Sequence, residues 1–236
     1  MSRSLTVAFD ADDTLWHNEN AFADVEQLFN DLVEPWVDAT TAASRLVATE
    51  RRQLATHGYG VKSFALSMIR TACELSDDEI PAATLRKFLD AADHLLTMPT
   101  VMLDGAAQVL AAVASTYPTM IITKGDLHHQ LRRIAEVDIA EHCFDIEVVA
   151  EKDPATYRHI LARHRIDTAT FVMVGNSVVS DVAPVLEIGA MAVHIPYETT
   201  WALETGVDPE PGPRWFRRNS IRDVPALLDT LAEDLS

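Results

Sequence analysis

Five short runs of apolar and β-branched residues punctuate the chain: Leu5–Phe9, Thr119–Thr123, Asp145–Val149, Thr170–Val174 and Met191–Ile195. They are near-continuous rather than alternating, the pattern of strands covered on both faces. Helical spacing of apolar residues fills the intervals between the last four. Leu127, Leu131 and Ile134 mark Gly125 to about Ala135, and Tyr157, Ile160 and Leu161 mark Asp153–His164. Val178, Val182, Val185 and Leu186 mark Ser177–Ile188. Strand and helix alternating through short connections predict βαβ units, hence an α/β fold with a doubly wound parallel sheet.

One interval breaks this rhythm. From Trp16 to about Pro99 the pattern is amphipathic and helical throughout, over Phe22–Trp36, Ala42–His57, Val61–Leu75 and Asp77–Leu96. Ser76 or Asp77 is positioned to cap the last of these, ahead of Glu79. So much helix is too long for one crossover, so it reads as an inserted all-helical subdomain, with Asp104–Ser115 as the true crossover helix. The domain expectation is a core of 1–15 and 99–236 and a helical insertion of 16–98. The tail Glu198–Arg218, rich in Pro, Gly and charge, reads as a surface loop before a final helix near Val224–Ala232.

Composition narrows the partners. With 48% hydrophobic and 23% charged residues the chain of 236 residues can bury a core. Its 36 Asp+Glu against 19 Lys+Arg give a formal charge of −17, which repels a phosphate backbone, so nucleic acid is not expected as a partner. No run of 18 or more apolar residues occurs, so no membrane span is expected. Cys73 and Cys143 are too few for a disulfide framework. With no secretory pattern at Met1–Thr6, the expected location is cytoplasmic.

Chemistry collects after the strands. The first ends in Asp10-Ala-Asp12-Asp13-Thr14 and the second in Thr123-Lys124-Gly125. Lys152 follows the third, and Gly175-Asn176-Ser177, with Asp181, follows the fourth. Parallel strands deliver their carboxyl ends to one edge, where open α/β sheets bind ligands. The set suits phosphoryl transfer through an aspartyl intermediate. Asp10 is the candidate nucleophile, and Asp12 the candidate acid for the leaving oxygen and base for water. Thr123, Lys124 and Gly125 are candidates to hold phosphoryl oxygens, and Lys152 to offset charge. Mg²⁺ is the expected cofactor, on Asp10, the Asp12 backbone carbonyl and Asp181.

In these four motifs, Asp10-x-Asp12-x-Thr14, Thr123, Lys152 and Gly175-Asn176-x4-Asp181, the sequence resembles the haloacid dehalogenase (HAD) superfamily. The match is to its phosphatase branch with a helical cap of the C1 type. The resemblance implies a Rossmann-like core, Mg²⁺ dependence, an aspartyl-phosphate intermediate and a mobile cap. Many family phosphatases carry an acid where Asn176 stands. Asn176 is therefore expected as an orienting group behind the ligands, and Asp181 as the metal carboxylate. The acidic Asp12 argues against the dehalogenating branch, which needs no proton donor for a leaving alkoxide.

The remaining candidates lie around the site. Trp16, His17 and Glu19 follow the catalytic loop, with packing against the core as the alternative for Trp16. His57, Tyr59 and Lys62 flank a glycine break and are candidates for a substrate loop or for a solvated one. His128 and His129, adjacent on a helix, do not share a face and read as surface histidines. The expectation is a phosphomonoester hydrolase with a small phosphorylated substrate. The alternatives are a phosphomutase of the same family and a binding or regulatory protein with little turnover. The sequence leaves the oligomeric state, monomer or homodimer, open.

Overall fold

A computed structural model describes residues 4–210 and 212–235. Backbone contacts divide the chain into two compact units. One comprises Met1–His17, Thr100–Lys124 and Gln130–Ser236, and the other Asn18–Pro99 with Gly125–His129.

The first unit is built on a parallel six-stranded sheet: β1 (Thr6–Phe9), β2 (Thr119–Lys124), β3 (Asp145–Val149), β4 (Phe171–Gly175), β5 (Met191–His194) and β6 (Trp215–Arg217). Their order is β3-β2-β1-β4-β5-β6, all neighbours parallel. This is the Rossmann order, which reverses direction beside β1. Strand alternation sends Val7 and Phe9 to one face and Ala8 to the other. Val7 and Phe9 pack with residues of α5 (Ala106–Ala114) and α9 (Val224–Asp234), among them Leu110 and Leu228. Ala8 packs with Tyr157 and Ile160 of α7 (Pro154–His164) and Val185 of α8 (Ala183–Glu187). Both faces are therefore covered. The edge strands are less so, β3 being only partly buried.

The second unit holds α1 (Glu19–Val33), α2 (Ala39–His57), α3 (Val61–Leu75) and α4 (Ala82–Thr97) around Phe29, Leu46, Met68 and Phe88. The Phe29 and Phe88 rings lie 5.5 Å apart, within the range of favourable aromatic pairing. Asp38 caps α2 by accepting from the Thr41 amide at 3.0 Å.

Three local expectations change. The fourth helix of this unit begins at Ala82, not Asp77. Asp77 and Asp78 adopt positive φ (52° and 64°), and the Ser76 hydroxyl accepts from the Ile80 amide, closing a turn instead of starting a helix. The tail read as loop contains β6, which extends the sheet beside β5. In α6 (Leu127–Glu136), Leu127 and Leu131 are exposed, whereas His129, Gln130, Arg133 and Ile134 are buried. The inward face of that helix is thus mainly polar, and His129 is not a surface histidine.

Candidate active site

The site forms at the carboxyl edge of the sheet, within the first unit. Asp10 follows β1, its amide donating to the Val174 carbonyl on β4 at 2.9 Å. Its carboxylate is buried: Oδ1 accepts from Lys152 Nζ at 2.5 Å, and Oδ2 from the Thr14 hydroxyl at 3.1 Å. The same Lys152 ammonium donates to Asp181 Oδ1 at 2.7 Å. Residues 10, 152 and 181 thus meet at one nitrogen. Asn176 Oδ1 lies 3.3 Å from the Thr14 hydroxyl, which places it beside Thr14 rather than against Lys152.

Local backbone geometry explains the meeting. After β4 the chain runs through a π-helical turn, Val178–Val182, before α8. Ser177 caps it, its hydroxyl accepting from the Ser180 amide at 3.0 Å. Such turns carry an extra residue and recur at functional sites. Here the wider turn aims Asp181 back at the strand end, where Asp181 Oδ2 accepts from the Ser177 amide at 3.0 Å. On the other side, Lys152 directly precedes Asp153, the residue that caps α7 by accepting from Thr156.

Electrostatics follow from burial. Removal from water pushes the Asp10 carboxyl up to about 8; Lys152 opposes that rise, and Asp181 adds to it. Burial disfavours the Lys152 charge, but Asp10 and Asp181 together hold its pKa well above the usual lysine value. One ammonium faces two buried carboxyl groups, so the cluster is left with one surplus negative charge whenever both are ionised. That surplus and the all-oxygen donor set fit a hard divalent cation. At the end of β2 the fully buried Thr123 hydroxyl finds no hydrogen-bond partner among the described residues. A buried unpaired hydroxyl is costly, and it suits a site that binds a ligand oxygen.

Other candidate residues go elsewhere. The Asp12 carboxylate accepts from Trp16 Nε1 (2.7 Å), Arg133 Nη1 (2.7 Å) and Gln130 Nε2 (2.5 Å), not from Lys152. Lys124 Nζ contacts Ser180 (2.9 Å), Glu151 (3.4 Å) and Glu204. Gly125 follows with φ of 141°, a conformation that side-chain-bearing residues avoid. Trp16 is fully buried in the core, and His17 Nδ1 lies 2.6 Å from the Tyr197 hydroxyl. Glu19 opens α1. Lys62 pairs with Asp126 at 2.9 Å within the second unit.

Sequence patterns did not point to Glu204. It lies in the Pro- and Gly-containing tail, yet its carboxylate is largely buried and accepts from Lys124, Ser177 and Ser180. Burial would raise its pKa, but these donors and the Lys124 charge bring it below the ordinary value. Asp145, Glu147 and His164 also converge, with Glu147 Oε1 2.7 Å from His164 Nε2. They sit at the start of β3 and the end of α7, away from the strand carboxyl ends, and Arg163 already pairs with both carboxylates.

A parallel sheet covered on both faces, with acidic and basic side chains gathered at its carboxyl edge, defines the class of enzyme folds that carry chemistry on strand ends. The haloacid dehalogenase-like hydrolase family profile matches residues 5–189, and the chain belongs to that family. A haloacid dehalogenase-like hydrolase from Xanthomonas campestris is 34% identical, with a TM-score of 0.88, covering 98% of this chain and 93% of that one. YfnB from Bacillus subtilis, solved bound to magnesium, shares the fold at 15% identity and a TM-score of 0.66 (96% and 99% covered). So does L-2-haloacid dehalogenase from Xanthobacter autotrophicus, solved with chloropropionic acid covalently bound, at 14% identity and a TM-score of 0.67 (96% and 99% covered). No curated protein gives a significant match. No helix among the described residues is long and apolar enough to cross a membrane.

Proposed function

We propose that this hydrolase is a magnesium-dependent phosphomonoesterase that acts on a small phosphorylated metabolite. The observation that carries the reading is the buried Asp10–Lys152–Asp181 cluster, with the unpaired Thr123 hydroxyl at the same sheet edge. The catalytic core is assigned to 1–15 and 99–236, with 16–98 as the helical cap. Magnesium would be held by Asp10, the Asp12 carbonyl and Asp181, and would neutralise charge on the phosphoryl oxygens. The magnesium bound to YfnB, on the same fold, supports that choice.

Asp10 Oδ would attack phosphorus, forming the Asp10–phosphate bond as the phosphorus–oxygen bond to the leaving alcohol breaks. Asp12 donates a proton to that departing oxygen. It then takes a proton from water as the water attacks phosphorus, which frees Asp10 and inorganic phosphate. Lys152 holds Asp10 in its attacking orientation and offsets the approach of two anions. Thr123 would donate to a phosphoryl oxygen, with Lys124 and Gly125 at the same strand end. Asn176 would orient the Thr14 hydroxyl.

The test is phosphate release from a panel of phosphorylated sugars, nucleotides and cofactors, with L-2-chloropropionate in parallel. Magnesium-dependent release that chelation abolishes is expected. Asp10→Asn should lower it at least about a thousandfold while the fold persists by circular dichroism. Release of chloride without phosphate, or near-normal turnover by D10N, would overturn the reading.

A further inference from the structure

Arg133 is buried although the apolar spacing of α6 would place Leu127 and Leu131 inward. An inward guanidinium must find partners. Its Nη1 donates to Asp12 Oδ1 and its Nη2 to the His17 carbonyl, both at 2.7 Å, and the group lies 5.1 Å from the centre of the Trp16 ring. Trp16 Nε1 shares Oδ1 with Arg133, and Gln130 Nε2 takes Oδ2. Both Asp12 oxygens are therefore engaged by side chains of the catalytic loop and one helix.

Asp10 and Asp12 thus receive separate cations. Asp10 has the Lys152 ammonium, inside the site, while Asp12 has a planar guanidinium that also grips the loop backbone at His17. The guanidinium makes these contacts from two nitrogens held apart in one rigid plane, a fixed fork that a single ammonium nitrogen does not reproduce. We infer that Arg133 is a positioning residue for the acid–base carboxylate, setting where Asp12 can meet the leaving oxygen. What Asp12 does there rests on the phosphomonoesterase reading; the contact does not.

Misplacing a general acid hurts most where the leaving group is poor. Arg133→Ala should lower kcat for an alkyl phosphate such as glycerol phosphate by about 100-fold. For p-nitrophenyl phosphate, whose leaving group needs little protonation, the loss should stay within about fivefold, with KM changed less than about threefold. On an Asp12→Asn background the same change should add less than about twofold. Arg133→Lys, which keeps the charge and loses the fork, should show the same selectivity shift if R133A folds poorly. Equal losses on both esters, or a full R133A effect on D12N, would overturn the inference. The indole N–H resonance of Trp16, assigned with Trp16→Phe, reads the contact without turnover. It should move in R133K, and an unmoved resonance would also sink the inference. If the wild type releases phosphate from no ester of the wider panel, the phosphatase reading fails, while the resonance still reports whether Arg133 is held in the contact with Trp16 and the Asp12 oxygen they share.

Discussion

Asp181 folds back over Gly175 so closely that a Cβ on residue 175 would lie 2.3 Å from its Cγ and Oδ2. The glycine is required by the carboxylate, not by its own backbone dihedrals. Gly175→Ala should therefore displace Asp181 from Lys152. The expected cost is about 1–3 kcal/mol of stability, with at least about a tenfold loss of turnover. Urea unfolding and steady-state kinetics on the same preparation check both.

Lys152→Met leaves Asp10 and Asp181 buried without their cation. Breaking a buried pair in this way costs about 3–5 kcal/mol. The deficit should depend on pH. Burial already raises Asp10 to about 8 with Lys152 present, and losing the lysine raises it further. A carboxyl whose folded pKa is raised favours the folded state below its unfolded pKa and loses that contribution as pH rises through the folded value. Denaturant titrations should show a gap that is nearly constant from about pH 5 to 7 and widens between about pH 8 and 10, where wild-type Asp10 ionises beside Lys152 and the variant's does not. A gap that stays constant over the whole range would refute this.

His194 is buried, its Nε2–H donating to the Asn176 carbonyl at 2.9 Å, while Nδ1 has no partner among the described residues. Protonation would place a buried, unsatisfied donor on Nδ1. Burial accordingly holds its pKa below the usual 6.5, with the bond to Asn176 opposing. A depressed folded pKa gives stability that is present above the unfolded pKa and lost as pH falls through the folded one. Between pH 7 and 5 the wild type should lose more unfolding free energy than His194→Gln, which cannot be protonated. Parallel slopes for the two proteins would exclude it.

Glu204→Gln removes the charge that Lys124, Ser177 and Ser180 converge on. Charge-assisted bonds of this kind contribute about 1.5–3 kcal/mol. The variant should loosen the segment around Trp201–Thr205, read as faster amide hydrogen exchange there, with exchange in β1 and β4 unchanged.

What could be read from the sequence follows from what apolar periodicity measures. The strand runs were legible because a sheet covered on both faces demands continuous β-branched stretches. Their carboxyl ends then located Asp10, Lys152 and Asp181 without further information. β6 was not legible: three residues, Trp215–Arg217, on an edge and beside Pro and Gly carry too little pattern. The α6 face misled because periodicity assumes an apolar interior, whereas Gln130 and Arg133 turn inward to serve a carboxylate. Glu204 was missed for the related reason that a tail rich in turn formers reads as solvated, whatever acid it carries inward.

The π-helical turn at Val178–Val182 has a consequence for how this segment can be varied. Each helical residue advances the chain by about 100°. Removing a single residue there would restore regular winding and swing position 181 out of register with Lys152. Substitutions along the turn should be tolerated far better than any change in its length. Indel scanning, rather than point mutagenesis, is the way to expose how tightly this stretch is constrained.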